Sequence, residues 1–143
     1  MTVAFRVVGI PVGQPRPRAC VRGRGPRARA GMYDPGTADG WKAAIAAAAA
    51  KHRPRSPAGG PIRVDADFVF PRPRYMGGAK YPEGEVPHDV KPDRDNCEKA
   101  LLDALTGVGF WADDAQVCAG EVRKFYASRR GTPGVRVRVS AID

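Results

Sequence analysis

The segment KPDRDNCEKALLDALTGVGFWADDAQV, Lys91 to Val117, holds Asp93 and Asp95 two residues apart and places Asp113 beside Asp114 farther on. Carboxylates this close repel one another, and a cation that neutralises them explains their company. Mg²⁺ takes oxygen ligands and keeps several waters, so carboxylates from a turn and a helix terminus suit it, with Mn²⁺ as the alternative ion. Zn²⁺, whose four ligands often include His or Cys, suits the set less well. A metal-free assignment also exists. Asp95 and Glu98 would form a capping box, Lys99 and Asp103 an i,i+4 pair, and Asp113 with Asp114 a polar turn. It leaves the combination of Asp93, Asp95 and the later pair without a cause.

The chemistry such a metal would serve follows from the charge of the rest. Lys and Arg total 24 against 15 Asp and Glu, a formal net charge of +9, which attracts phosphates, other acidic partners or anionic lipid. Hydrolysis of a phosphodiester needs a nucleophilic water and stabilisation of charge on the attacked phosphate and the departing oxygen, and Mg²⁺ supplies both. Lys99, one turn beyond Asp95 on the same helix face, would neutralise a nonbridging or leaving oxygen. Asn96 would orient a ligand or support the cap.

These side chains must be positioned by a helix. At about 100° per residue, Cys97, Leu101, Ala104, Leu105 and Val108 gather into an apolar stripe, with Asp95, Asn96, Lys99 and Asp103 opposite. GVGF would end the helix and return FWADDAQV toward its head, with Phe110 and Trp111 packing to fix the return. A second helix is expected over GWKAAIAAAAAKHR, Gly40 to Arg53, capped by Thr37 or Asp39, anchored through Trp41 and Ile45, and stopped by Pro54. VAFRVVG, IRVDADFVF, VCAGEVRKFYA and VRVRVS read as strands; in the second, Ile62, Val64, Ala66, Phe68 and Phe70 share one side. Asp65 and Asp67, on its other side, repeat the two-residue spacing but are expected to face water or balance arginines. The Pro-, Gly- and Arg-rich stretch over residues 11–36 reads as a basic loop that closes on nucleic-acid backbone. Tyr75 and Tyr81 lie in another open loop, where they could stack on bases or pack down as lids.

With 143 residues, one domain spanning 1–143 is expected, of α+β class, with a mixed or largely antiparallel sheet and two main helices. Cys20, Cys97 and Cys118 are an odd set without close Cys or His partners, which argues against a disulfide scaffold or a zinc finger. No stretch has the apolar length to span a bilayer, and no signal-like head is seen, so a cytoplasmic location is the simplest expectation.

RDNCEKALLDALTGVGFWADDAQV, preceded by KPD and supported by GIPVGQPRPR near the N-terminus, resembles the RusA family of Holliday junction resolvases. The resemblance implies a RusA-like fold and a small homodimeric, Mg²⁺-dependent endonuclease. Such an enzyme binds four-way DNA junctions and makes paired cuts in strands of like polarity. It places the catalytic acids and metal ligands at Asp93, Asp95 and Asp114, the important lysine at Lys99, and supporting acids at Asp103 and Asp113. Junction binding falls to Arg16 and Arg18, with Arg22 and Arg24 in an unusually long arginine-rich continuation. Gln14 stands where family members often carry lysine. A broader branched-DNA nuclease and a non-catalytic junction-binding protein are the alternatives.

Overall fold

The computed structural model describes residues 1–143. Eight strands appear in the order β1 (Thr2–Val8), β2 (Arg18–Arg22), β3 (Arg29–Tyr33), β4 (Ile62–Phe70), β5 (Val86–Pro87), β6 (Val117–Ala119), β7 (Val122–Tyr126) and β8 (Gly134–Ala141). Helix α1 (Asp39–Ala49) lies between β3 and β4, and α2 (Arg94–Gly107) between β5 and β6. The main sheet runs β1-β8-β4-β7-β5, with β6 also pairing with β4. β4 is antiparallel to β8 and parallel to β6 and β7, so the sheet is mixed and the fold is α+β. No helix is long and apolar enough to cross a membrane.

The period-two pattern of β4 and β8 decides which sheet face is dry. Val64 lies opposite Val139, Ala66 opposite Val137 and Phe68 opposite Val135, and all six are buried. α1 covers this face with Trp41, Ile45 and Ala49, and α2 with Cys97, Ala100, Leu101, Ala104 and Leu105. Phe110 and Trp111 are also buried, and the Trp111 indole donates to Thr106 Oγ1 at 2.7 Å. They fix the return of the chain as packing residues. The other sheet face is charged: Asp65 faces Arg138 across the β4–β8 ladder, and Asp67 faces Arg136 and, across β4–β7, Arg123.

Four expectations are corrected. The Pro/Gly/Arg-rich stretch is not a loop throughout, because Arg18–Arg22 and Arg29–Tyr33 pair as an antiparallel hairpin. Its turn uses Gly23 and Gly25 at φ +86° and +60°, a region open to glycine. Helix α1 starts after Ala38, with neither Thr37 nor Asp39 as its cap; instead the Asp34 carboxylate accepts from Gly36 N–H at 2.8 Å just before it. It ends at Ala49, short of Pro54. The VCAGEVRKFYA strand is broken into β6 and β7 at Gly120, where a Cβ would collide with the Val64 carbonyl.

Candidate active site

Helix α2 is anchored by its buried stripe, which leaves its head and opposite face outside. Asp93 occupies the N-cap position, but its side chain makes no capping hydrogen bond. Asp95 is exposed in the first turn, its Oδ1 accepting from the Asn96 N–H at 3.0 Å. The expected Asp95–Glu98 capping box is therefore absent; the box forms at Asp113, whose Oδ1 accepts from Ala115 N–H at 2.9 Å while Gln116 Oε1 accepts from Asp113 N–H at 3.1 Å. A turn of Asp-x-x-Gln has the same geometry of reach and here satisfies its amides locally.

On the outward face, Lys99 Nζ donates to Asp103 Oδ1 at 2.7 Å and approaches Asp114 Oδ2 at 3.4 Å. The hydrogen bond that Lys99 donates to Asp103 leads the causes that raise the Lys99 pKa above its ordinary value, with both aspartates adding attraction, so the ammonium stays charged. Asp113 and Asp114 thus diverge: one holds its turn and the other faces α2. Lys99 joins the return loop to the helix. Asp93, Asp95 and Asp114 do not gather as a closed cage, and no three His, Cys, Asp or Glu side chains in the chain do so. The donor chemistry still fits a hard cation: Asp93 has no capping duty, the three carboxylates offer only oxygen, and Mg²⁺ characteristically uses one or two carboxylates plus water and substrate phosphate.

Two contacts that the sequence did not disclose fix the head of α2. Lys124 Nζ, from β7, donates to the Val90 and Pro92 carbonyls at 2.7 and 2.6 Å, clamping the segment that leads to Asp93. Gly13 lies so close to the helix that an added Cβ would sit 2.8 Å from Pro92 Cβ and 3.2 Å from Asn96 Cβ. Next to it, Gln14 N–H donates to the Asn96 carbonyl at 2.8 Å and Gln14 Nε2 to Asp34 Oδ2 at 2.9 Å. The GIPVGQPRPR segment is therefore a strap across the acidic helix head, with a polar cleft of about 400 Å³ bounded by Gly13, Gln14, Lys91, Asp93 and Asn96. The only available sequence signal was a glycine in a Pro-rich run, which leaves its packing partner open.

The strap, helix and return loop all fall within residues 9–140, which match the family model described as Endodeoxyribonuclease RusA. The chain belongs to the RusA family. YqaN of Bacillus subtilis (strain 168), an uncharacterized protein, is 32% identical over 146 aligned positions, covering 99% of this chain and 97% of YqaN. The crossover junction endodeoxyribonuclease RusA of Escherichia coli (strain K12) is 45% identical over 49 positions, 34% of this chain and 41% of that protein. The enzyme of that name from Enterobacteria phage 82 gives the same identity and coverage. The four arginines expected to bind DNA, Arg16, Arg18, Arg22 and Arg24, are exposed along the strap and the hairpin it enters.

Proposed function

We propose that this chain is a divalent-metal-dependent, structure-selective DNA endonuclease that resolves four-way junctions by paired phosphodiester cuts as a homodimer. The observation that carries this reading is the carboxylate head of α2, Asp93 and Asp95, free of ion pairs, with Asp95 one turn from Lys99 and its link to Asp114 within the RusA match. Asp93 and Asp95 would hold the cation, with Asp114 as the ligand from the return loop. A bound Mg²⁺ or Mn²⁺ would supply Lewis-acid charge and an acidified water. Lys99, kept charged by Asp103, would donate to a phosphate oxygen as negative charge develops there. Asn96 and Asp113 would keep the helix head and return loop in place. Arg16, Arg18, Arg22 and Arg24 would hold the phosphate backbone, and a two-fold dimer would present equivalent sites to symmetric arms.

The test is single-turnover cleavage of mobile and fixed four-way junctions, flaps, duplex and single strands, with Mg²⁺, Mn²⁺ or EDTA. Paired nicks on junctions that require metal and fall by roughly 10²-fold in Lys99→Ala support the reading. Comparable cutting of flaps would support the broader nuclease instead, and tight junction binding without any incision would support the binding-only protein. Cutting that persists in EDTA would remove the mechanism.

A further inference from the structure

The β2–β3 hairpin stands apart from the core, and its register sorts its residues into two unlike faces. Arg18, Cys20 and Arg22 alternate with Ala19 and Val21 on β2, and Arg29, Gly31 and Tyr33 with Ala30 and Met32 on β3. The pairs Arg18–Tyr33 and Arg22–Arg29 therefore share one face, and Ala19–Met32 and Val21–Ala30 the other. The first face is basic. The second is wholly apolar, with Val21 72% and Met32 59% exposed around a shallow depression of about 410 Å³. A two-stranded ribbon with both faces in water is marginal by itself, so an occupant for the apolar face is expected.

The charge identifies that occupant. From Arg16 to Tyr33 there are six arginines and no Asp or Glu, which selects a polyanion. Four apolar side chains, two of them alanine, are too few by themselves for the surface that a stable protein dimer buries. DNA at a branch point offers both chemistries in one place, phosphates along each arm and the uncovered faces of base pairs where stacking is interrupted. The base of the ribbon also sits at the right position. Gln14, before β2, bonds to Asp34, after β3, and to Asn96 on α2, so the ribbon springs from the head of the acidic helix.

We infer that the β2–β3 ribbon is a branch-point wedge, its Ala19/Val21/Ala30/Met32 face covering an unstacked base pair while Arg18, Arg22 and Arg29 grip the adjoining phosphates. This rests on the proposed action on branched DNA and adds the element that tells a branch from a duplex. Apolar side chains inserted at base steps and arginines on the backbone are known ways to read deformed DNA, and neither requires a base sequence.

Binding is measured in EDTA on a fixed four-way junction and on a duplex of matching arm sequence, over a range of salt. A 2-aminopurine at the exchange point reports base stacking. Val21→Ser/Met32→Ser should weaken junction binding about ten-fold, leave duplex binding within about two-fold and abolish the 2-aminopurine change. Arg18→Gln/Arg22→Gln/Arg29→Gln should weaken both and reduce the salt slope by about 2 to 3. Both substituted sets are exposed, and thermal melts check that the fold is kept. Equal loss on junction and duplex in the Val21/Met32 variant, or no loss on either, overturns the wedge. So does conversion of a dimer to a monomer by that variant, which would give the face to a second copy. A wild-type protein that prefers junctions and cuts them while the variant keeps that preference defeats the wedge alone; a wild type with no junction preference defeats the wedge and the resolvase reading together.

Discussion

Asp65 and Asp67 on β4 have the same spacing as Asp93 and Asp95 at the head of α2, yet the fold treats the two pairs in opposite ways. Asp65 receives Arg63 through two hydrogen bonds of 2.9 Å and the Glu121 N–H at 2.9 Å. Asp67 receives Arg123 at 2.7 and 2.9 Å and Arg136 at 3.3 Å. No arginine pairs with Asp93 or Asp95; Lys124, which reaches the segment just before them, spends its hydrogen bonds on the Val90 and Pro92 carbonyls. Acidic spacing alone therefore says little about chemistry. What separates a charge ladder from a candidate metal site is whether the fold supplies counter-charges from neighbouring strands, and a sheet interior does so where a helix head does not.

The strongest way to break this comparison is to neutralise one member of each pair. Asp93→Asn or Asp95→Asn should lower metal-dependent junction cleavage by about 10³-fold or more, measured in single turnover. Unfolding free energy should move by less than about 0.5 kcal/mol, because neither carboxylate secures another element. A large stability loss in these variants, or activity within ten-fold of wild type, would place the two pairs in one class.

Cys97 lies beneath the acidic head and senses it. Burial leads the causes that push its thiol up to about 11, Lys124 opposes, and Asp93 and Asp95 push the same way as burial. The unfolded thiol, near 9.0, ionises first, so the stabilising contribution of the neutral buried thiol is complete below that pH and is lost as pH rises toward 11. The loss amounts to roughly 2–3 kcal/mol. Urea unfolding across this range should show a steeper alkaline decline in wild type than in Cys97→Ala. In a Cys20→Ser/Cys118→Ser background, thiolate absorbance should report a lower Cys97 pKa when Asp95→Asn is added, and an unchanged pKa would mean that the head carries no uncompensated negative field.

The sequence disclosed elements whose burial is periodic. The alternation of β4 and β8 and the stripe Cys97, Leu101, Ala104 and Leu105 were readable because one face of each meets the core, and Phe110 and Trp111 were readable as packing for the same reason. Ala100 also lies in that buried face although the stripe did not include it. The ribbon was hidden because nothing packs on it. RACVR and RAGMY do alternate, but proline, glycine and arginine around them signal an open chain when no core is there to select a face. Site assembly was legible to a lesser extent. The Lys99–Asp103 spacing predicts its ion pair, whereas the Lys124 clamp and the Gly13 approach arise from segments brought together only by the sheet. The division of labour between Asp113 and Asp114 follows from adjacent side chains pointing apart.

On the ladder side, Asp67→Asn should destabilise by about 1–2 kcal/mol while cleavage stays near wild type. Its side chain is 18% exposed and serves two arginines, but Arg136 keeps a bidentate partner in Glu85 at 2.7 and 2.9 Å, which limits the damage. Chemical denaturation and single-turnover cleavage of the same preparation read both halves of that expectation. The signature is the reverse of that expected for Asp95→Asn, and the two variants together separate scaffold from chemistry.

The smallest effect should come from Asp65, through pH. The hydrogen bonds from Arg63 lead the causes that lower its pKa from 3.8, with burial opposing and the Glu121 N–H assisting. For a carboxylate depressed in the folded state, the stabilisation is complete above the unfolded value and disappears as pH falls through the folded one. Wild type should therefore lose part of its stability below pH 3.8 by protonating Asp65, and Arg63→Gln should already lack that part at neutral pH. Both residues are solvent-accessible, so screening by salt should shrink the difference further. Acid titrations of unfolding free energy in low and high salt test this. A Arg63→Gln curve parallel to wild type through the acid range would mean that the Arg63–Asp65 bonds contribute no pH-dependent stability, and that the outer sheet face relies on the Asp67 cluster for its counter-charge.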